Sequence, residues 1–413
     1  MNWAACSRPQ PPLIRKPSNL FAIALGAVGL MAPAQAREEA AVEMVRLRYM
    51  RPHEPARKLD RHLAPIQTAH LVAASSGYDL FWGGTDAITR IDRRSGEDRA
   101  ILAIAGETAG CLIELAEASI FFCTDQGQAG IWDGESRSPR WTITLDEPLG
   151  AAALEHGGCL LVGSRLGSVW CLDAATGLVR WKYGVGEVSR ELRAPVLRWV
   201  VVSDREVAVV RDQGSVTWLD FSPAGYRVQG ASAIGGDRSY VADSPRQIGD
   251  RILLPVVGAD SWFVPLQYRQ GAQATATVPD LTRVSVVCAG RLAEGVFWQR
   301  DRGVVSWTES GTLQQAPILL GYEPRVLIPI RSARCDSRAL DVEALGTALQ
   351  RGDFVALDTA GQFYEGNRPI PSPPMRGIAS NVVVLPSQKL GEVDVYFVST
   401  AGWLYRFTSV AAR

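Results

Sequence analysis

The side chains best suited to metal or nucleophilic chemistry are few, and they are not spaced for it. The four histidines are His53, His62, His70 and His156, and the intervals of 9 and 8 residues between the first three match no usual zinc signature. The sequence contains no G-x-S-x-G, H-E-x-x-H, phosphate-loop or EF-hand motif. We therefore predict no catalytic residues, no metal site and no bound cofactor from the motifs alone.

Cysteine spacing suggests a structural role for the thiols. Cys111 and Cys123 are 12 residues apart, as are Cys159 and Cys171. Each pair could face across one antiparallel hairpin and form a disulfide, which gives one or two cross-strand bonds. Buried free thiols are the alternative. No C-x-x-C motif occurs, which argues against zinc or thioredoxin-like chemistry.

The N-terminal residues have the order of a secretory signal peptide. Arg15 and Lys16 precede an uncharged apolar run over residues 20–31, and Ala34-Gln35-Ala36 forms a small-x-small cleavage site. We expect residues 1–36 to be removed and the remaining chain to be periplasmic or secreted, with no transmembrane span after cleavage. An uncleaved anchor is the alternative.

Charge and composition favour a globular protein built from hairpins. The chain has 43 basic and 43 acidic side chains, and this neutral balance argues against nucleic-acid binding, which depends on neutralising phosphates. Tryptophan (12) and glycine (39) are abundant while histidine is scarce. This combination favours repeated hairpins over a catalytic α/β domain.

An internal repeat is the main signal in the sequence. Residues 160–181 read as strand, glycine turn, strand, Asp-x-x-Thr-Gly turn and a third strand ending in Trp, and residues 120–141 repeat this pattern 40 positions earlier. The turn before the second strand of each unit recurs at positions 86, 127, 167, 214, 260, 303, 361 and 402. A period in the forties with short alternating strands predicts a β-propeller of four-stranded antiparallel blades, eight in number with seven as the alternative.

The repeated turn residues have physical roles. Asp173 and Thr176 can accept hydrogen bonds within their own turn, and Gly177 can supply a positive φ. Trp181 offers a flat surface to the neighbouring blade, and Asp133 and Trp141 occupy the equivalent positions one unit earlier. We expect these residues to be structural.

The domain organisation follows from the repeat. Residues 37–69 form an N-terminal segment, in which the alternating stretch 42–49 is expected to add the outer strand of the last blade near residues 404–409 and so close the ring. Residues 70–413 form the propeller, and residues 336–351 interrupt it with an amphipathic insertion that suits a short helix.

Several tryptophans lie on or beside the second strand of successive units. They are Trp132, Trp170, Trp218, Trp307 and Trp403. We expect them to pack between blades, and glycan or unfolded-chain binding is the alternative. Acidic pairs suited to glycoside hydrolysis also stay open as an alternative, because distant blades meet at the central mouth of a propeller.

The segment 172–181 resembles the repeat of the pyrroloquinoline-quinone-type (PQQ-like) propellers. In that family Asp, Thr-Gly and Trp recur blade after blade, as Asp173, Thr176, Gly177 and Trp181 do here. The resemblance implies one of two kinds of protein. One is a quinoprotein dehydrogenase that uses PQQ and Ca²⁺, and the other is the non-enzymatic BamB-like subunit of the outer-membrane β-barrel assembly machinery.

The sequence is more similar to the BamB-like subunit. The dehydrogenases carry a vicinal Cys-Cys disulfide that this sequence lacks, they bind Ca²⁺ through Glu, Asn and Asp, and they are larger. We therefore expect a monomeric scaffold that binds envelope proteins, with the quinoprotein dehydrogenase and an envelope glycan- or ligand-binding propeller as alternatives.

One stretch bears on partner binding. The assembly subunit has a face loop with an Arg shortly before an Ala-Pro pair, and alignment on Ala194-Pro195 places Arg190 at that arginine. Glu187 and Ser189 stand where the family has leucines, and a lipid-anchor cysteine is missing after the leader. The resemblance implies Arg190 as a partner-contact residue.

Overall fold

The structure is a computed structural model, and the residues it describes all lie in the compact unit formed by residues 40–413. They are residues 43–49, 70–74, 76–115, 119–184, 194–212, 214–232, 240–241, 246–248, 251–257, 262–267, 271–272, 276–277, 282–288, 291–293, 295–307, 313–317, 320–329, 340–370, 382–387, 392–399 and 403–410.

The chain folds into strands that pair mainly with their neighbours in sequence. After β1 (Glu43–Tyr49), the first strand set is β2 (His70–Ala73), β3 (Asp79–Gly83), β4 (Thr85–Asp92) and the first half of β5 (Asp98–Glu114). The second half of β5 begins the second set, which continues with β6 (Ile120–Thr124), β7 (Gln128–Trp132) and β8 (Trp141–Thr144). The long β5 therefore joins two antiparallel sets into one seven-stranded sheet.

The next two sets are regular four-stranded antiparallel sheets. The third contains β9 (Leu149–His156), β10 (Cys159–Ser164), β11 (Val169–Asp173) and β12 (Val179–Tyr183). The fourth contains β13 (Val196–Val201), β14 (Glu206–Arg211), β15 (Val216–Ser222) and β16 (Gly225–Ser232).

The described strands of the fifth and sixth sets follow. The fifth contains β17 (Tyr240–Val241), β18 (Arg246–Ile248), β19 (Arg251–Val257), β20 (Trp262–Gln267), β21 (Gly271–Ala272) and β22 (Ala276–Thr277). Next come β23 (Thr282–Arg283), β24 (Ser285–Cys288) and β25 (Arg291–Ala293). The sixth set joins β23 to β26 (Val296–Gln299), β27 (Gly303–Trp307) and β28 (Leu313–Ala316).

The last two sets complete the chain. In the seventh, β24 pairs in parallel with β29 (Pro324–Pro329), and the sheet continues through β30 (Phe354–Asp358), β31 (Phe363–Glu365) and β32 (Arg368–Pro369). The eighth contains β33 (Val383–Pro386), β34 (Glu392–Val398), β35 (Trp403–Val410) and β1. The predicted all-β fold with four-stranded antiparallel sheets is confirmed, while eight blades rather than seven stays a prediction.

The middle strands are buried on both faces. Every residue of β3, β6 and β10 is buried, whereas β12 and β16, last in their sheets, are mostly exposed or half-buried. Sheets covered on both faces need continuous apolar runs, which explains sequences such as IFFCT over residues 120–124. The three tryptophans Trp132, Trp170 and Trp218 lie in these cores with at most 2 % of their surface exposed.

Apolar clusters join the first set to the second, the second to the third, the third to the fourth, and the fourth to the fifth. Others join the sixth to the seventh, the seventh to the eighth, and the eighth to the first. Burial of apolar surface between sheets is the dominant favourable contribution to folding.

The eighth set combines the two ends of the unit. β1 pairs antiparallel with β35, with Glu43 opposite Thr408 and Tyr49 opposite Trp403, and it lies in the segment predicted to close the ring. Contacts also cross from this set to the first. The Arg93 guanidinium donates to the Pro386 carbonyl at 2.8 Å, and the Tyr396 hydroxyl donates to the Arg93 carbonyl at 3.4 Å.

A helix lies within the predicted insertion 336–351. α1 (Val342–Arg351) begins at Asp341, whose side chain accepts a hydrogen bond from the Ala344 amide, and ends at Gly352 in the left-handed conformation. Such caps satisfy backbone groups that the helix itself leaves unpaired. The helix buries Val342, Leu345 and Leu349 in the core between the sixth and seventh sets.

Candidate partner-binding face

One end of the strands carries both the turns between second and third strands and the connections between sets. We call this end the turn face. Its described turns lie at residues 124–128 and 164–168, with further ones between β14 and β15 and between β30 and β31. Backbone hydrogen bonds tie turns to connections, as from Arg165 to the Pro148 carbonyl and from Asp212 to the Pro195 carbonyl, both 2.9 Å.

The connection that carries the predicted contact residue begins and ends at the turn face. Tyr183, where β12 ends, is opposite Val169, and Val196, where β13 begins, is opposite Arg211. Both partners adjoin turns of that face. Arg190 itself lies outside the described residues, so its role as a partner-contact residue stays a prediction.

Two serines and a glutamate shape the turn of the third set. The Ser164 hydroxyl accepts the amide hydrogens of Leu166 and Ser168 and donates to Glu147 at 2.7 Å, and the Ser168 hydroxyl donates to the same carboxylate at 2.8 Å. Because Glu147 lies on the connection from the second set, these bonds fix the turn against that connection.

Lys182 completes this polar cluster. Its ammonium lies 2.8 Å from Asp146 and 3.1 Å from Glu147, and 4.8 Å from the centre of the Trp170 ring. Partial burial alone would lower the pKa of Lys182, but the hydrogen bonds to the two carboxylates raise it. The hydrogen bond from Lys182 lowers the pKa of Asp146, so Lys182 and Asp146 both stay ionised at neutral pH.

A fully buried arginine links the third and fourth sets. The Arg211 guanidinium donates to the Gly167 carbonyl at 3.0 Å and to the Thr217 hydroxyl at 2.8 Å. Burial lowers the pKa of Arg211 to about 10, so it remains charged at neutral pH. Close by, Leu166 exposes 54 % of its surface at the tip of the neighbouring turn. The turn face therefore combines turns held by hydrogen-bonded polar side chains with an exposed apolar side chain.

The Asp-x-x-Thr-Gly turn lies at the opposite end of the strands. Asp173 accepts hydrogen bonds from the Ala175 and Thr176 amides and from the Thr176 hydroxyl, and Gly177 has a φ of +75°. Asp133 makes the same kind of bonds with Glu135 and Ser136. The Arg180 bond, followed by the Thr176 bonds, lowers the pKa of Asp173 to about 2.

The repeated tryptophans contact the next set. The Trp141 indole donates to the Ala174 carbonyl at 3.1 Å, and the Trp181 indole donates to the Ser222 carbonyl at 2.8 Å. A side chain at position 177 would collide with the Trp141 ring, which gives Gly177 a second reason to be glycine. These residues hold neighbouring sets together, the structural role that their positions predict.

The repeat motif described above does not include the arginine that lies seven residues after the turn aspartate. Arg99 pairs with Asp92 and Arg180 with Asp173, and the charge of Arg140 acts on Asp133. The Asp-x₆-Arg spacing, repeated in three successive units, indicates these pairs in the sequence. The buried Arg211 gave no such signal, because its partners are backbone carbonyl and hydroxyl groups.

The two predicted cysteine pairs differ. Cys159 and Cys171 form a disulfide with a Cα–Cα distance of 5.6 Å, whereas Cys111 and Cys123 are buried free thiols. Cys288 is also disulfide-bonded. Over the described residues, no group of three or more His, Cys, Asp or Glu side chains could hold a metal ion, and no helix is long and apolar enough to cross a membrane.

The sheets, their packing and these turns define the class of the protein as a β-propeller of PQQ-like repeats. A family model described as "Outer membrane protein assembly factor BamB" matches residues 84–220 and 149–322, which together span more than half of the chain. The chain belongs to this family.

Solved structures show the same fold at low sequence identity. BamB from Moraxella catarrhalis is 12 % identical with a TM-score of 0.52, over 88 % of this chain and 97 % of that one. The computationally designed Ika8 protein is 11 % identical (TM-score 0.54, 88 % and 99 %), and the C-terminal WD40 domain of Sif2 is 11 % identical (TM-score 0.53, 89 % and 99 %). No curated protein sequence matches the chain.

Proposed function

We propose that this chain is a non-enzymatic periplasmic scaffold that binds partner proteins during outer-membrane protein assembly. The family match over residues 84–322 carries the proposal, because a BamB-like propeller fold suits protein binding. The proposal requires no cofactor, no metal and no nucleic acid. In this role the leader over residues 1–36 is the signal that delivers the chain to the periplasm.

The turn face is the surface that we propose for docking. A partner gains affinity from a surface that does not have to be ordered on binding. The bonds of Glu147 to Ser164 and Ser168 hold the turn in place, while Leu166 extends from it. The connection 184–195, which contains Arg190, starts beside this turn.

The outer strands offer a second mode of docking within the same function. β16 is last in its sheet and exposes Tyr226 and Val228 by 39 % and 41 %. An extended segment of a partner, including a nascent strand, could pair with such an edge through its backbone. In this mode the partner adds one strand to the fourth set.

Site-specific photo-cross-linking in the native envelope tests the proposal. A photoreactive residue is placed at Leu166 or Arg190, and the matched control is Leu178, which is 61 % exposed at the opposite end of the strands. We expect positions 166 and 190 to capture outer-membrane barrel assembly proteins, identified by mass spectrometry, and position 178 to capture much less. Equal capture at all three positions, or capture of no envelope protein, would contradict the proposal.

The absence of an enzymatic cofactor is tested separately. We expect that adding PQQ and Ca²⁺ to the purified protein will produce no reduction of an artificial dye with alcohol or sugar substrates. Dye reduction that requires both additions would instead support a quinoprotein dehydrogenase. The two assays test different parts of the proposal. Dye reduction would contradict the non-enzymatic role, whereas failure to capture assembly proteins would contradict the partner-binding role.

A further inference from the structure

Cys111 and Cys123 face each other across two neighbouring strands. They are direct partners in the antiparallel register of β5 and β6. Opposed residues in such a ladder have Cα atoms about 4.5–5.5 Å apart, and disulfides span Cα distances of about 4.4–6.8 Å. The two thiols also share a hydrogen bond. The backbone therefore holds the two sulfur atoms close enough to be bonded with little movement.

A disulfide between Cys111 and Cys123 would link β5 and β6 in the core, where β5 passes from one set to the next. Both cysteines lie in the apolar core between the second and third sets, with 6 % and 1 % of their surfaces exposed. The ladder between β5 and β6 is irregular between Ala109 and Cys111, close to where β5 passes from the first set to the second. A cross-link at Cys111 would fix β5 to β6 just beyond this irregularity.

The neighbouring set shows that the same spacing supports a disulfide. Cys159 and Cys171 are also 12 residues apart on adjacent antiparallel strands, and they are bonded. The Cys159–Cys171 disulfide lies in the core between the third and fourth sets, whereas Cys111 and Cys123 lie in the core between the second and third sets. The second set therefore contains a pair of thiols, and the third set contains a disulfide at the same spacing.

We propose that Cys111 and Cys123 form a reversible disulfide, a redox-responsive cross-link between β5 and β6. This inference is independent of the proposed partner-binding function. The oxidant that it requires is a disulfide, either a small molecule such as oxidised glutathione or a protein disulfide.

The two cysteines differ in their readiness to react. The hydrogen bond from Cys123, a bond from the backbone of Ala153 and the charge of Arg198 together lower the pKa of Cys111 despite its burial. The pKa of Cys123 is raised by the same hydrogen bond and by burial. Cys111 is also the more exposed of the two, 6 % against 1 %. Since the thiolate is the nucleophile in thiol–disulfide exchange, we assign Cys111 as the attacking residue.

The thiol–disulfide exchange proceeds in two steps. The Cys111 thiolate attacks one sulfur of the oxidant, breaks its S–S bond, forms a mixed disulfide and releases one thiolate. The Cys123 sulfur then attacks the Cys111 sulfur, forms the intramolecular bond and releases the second half of the oxidant. The protons of both cysteines pass to the two released thiolates, so two cysteine thiols are oxidised and one external disulfide is reduced.

The test is refolding under controlled redox conditions, because burial limits the access of an oxidant to the folded core. The protein is unfolded and reduced, refolded in glutathione buffers of graded ratio, alkylated and analysed by peptide mapping. We expect a linked peptide pair for Cys111 and Cys123 in oxidising buffer. In more reducing buffer these two cysteines should become alkylated while Cys159 and Cys171 remain linked.

Two outcomes would overturn the inference. In the first, Cys111 and Cys123 are alkylated at every glutathione ratio while Cys159 and Cys171 are linked. In the second, both pairs open at the same ratio, so that the new bond would be no more reversible than the structural one. Refolding is verified by the far-UV circular dichroism of each sample.

Variants test the two roles. In Cys123→Ser the second step is blocked while the hydroxyl can still donate to the Cys111 sulfur, so we expect a glutathione adduct to accumulate on Cys111. In Cys111→Ser we expect several-fold less adduct on the more deeply buried Cys123. Cys111→Ala combined with Cys123→Ala should make the urea midpoint independent of the glutathione ratio over the range in which the wild-type midpoint shifts. Equal adducts in the two single variants would contradict the assigned roles.

Discussion

The turn that precedes the second strand of each sequence repeat lies between the second and third strands of its sheet. Among the described turns of this kind, six carry a residue with positive φ at the repeated marker position. Five are glycines, at positions 127, 167, 214, 303 and 361, with φ between +77° and +94°. In the first unit Asp86 takes the position with a φ of +66°. Aspartate is among the few residues that tolerate this region, at some cost in free energy. Among these six turns, the first unit therefore keeps the same left-handed backbone geometry although aspartate replaces the glycine.

Gly177→Ala tests the contact between sets at the scale of one residue. The new methyl group would overlap the Trp141 ring, and the φ of +75° would strain any side chain. We expect a loss in the free energy of unfolding of about 1–3 kcal/mol beyond the strain itself. Urea unfolding measures it.

Gly158→Ala is the matched control for that change. Its φ is +76°, and an added Cβ would meet no atom within 4 Å. The control therefore reports the backbone strain alone, about 1–2 kcal/mol. Equal losses in the two variants would show that the Trp141 contact contributes nothing.

The turn aspartates make stability depend on acid pH. The hydrogen bond from Arg99, and next that from the Ser95 amide, lower the pKa of Asp92 from 3.8 to about 2. Because the unfolded chain binds the proton more tightly, the stabilisation is present above pH 4 and is lost as the pH falls from about 4 to 2. The contribution is below about 1 kcal/mol, since Arg99 is 47 % exposed.

Asp92→Asn should therefore lose less stability than the wild type between pH 4 and pH 2. The amide oxygen can still accept the turn bonds, while the titrating charge is gone. Urea midpoints across this range measure the difference, and the exposed Asp204 provides the control Asp204→Asn, for which we expect the wild-type pH slope. A wild-type slope in Asp92→Asn would contradict the assignment.

At the scale of elements, β1 is the strand whose removal has the clearest consequence. It pairs with β35 along most of its length, and without it β35 becomes an open edge of the eighth set. Open edges lose hydrogen bonds and invite pairing with other chains. We expect a chain that begins at residue 55 to melt at least about 5 °C lower than one that begins at residue 40.

Thermal unfolding followed by circular dichroism compares the two truncated chains. Both lack the N-terminal residues 1–39, so the difference reports on residues 40–54 alone. The chain without β1 is also expected to form larger particles on size exclusion. Equal melting temperatures would mean that β1 does not stabilise the eighth set.

At the scale of the whole unit, apolar cores link neighbouring sets and the last set packs on the first. In an open array each repeat depends only on its neighbours, so unfolding can begin at an end. Closure removes the ends, and we expect one cooperative transition. The urea curves from tryptophan fluorescence and from far-UV circular dichroism should then coincide, whereas two separated transitions would contradict closure.

The sequence by itself predicted most of the architecture. Glycine turns, apolar strand runs and the Asp-x-x-Thr-Gly turn are local features, and each requires a particular backbone geometry wherever it occurs. Their repetition with a period in the forties therefore predicted the propeller class, which the family match and the solved structures confirm. The amphipathic spacing near residue 345 likewise indicated a helix, and Leu345 is fully buried.

Only the tertiary structure decided which groups distant in sequence meet. The spacing of the cysteines was the same in both pairs, yet Cys159 and Cys171 are bonded while Cys111 and Cys123 are thiols. The partners of Arg211 and Glu147 come from neighbouring strand sets, and Trp141 meets Gly177 across a boundary between sets. Such contacts depend on how one sheet is placed against the next, and the local preferences of a sequence do not encode that placement.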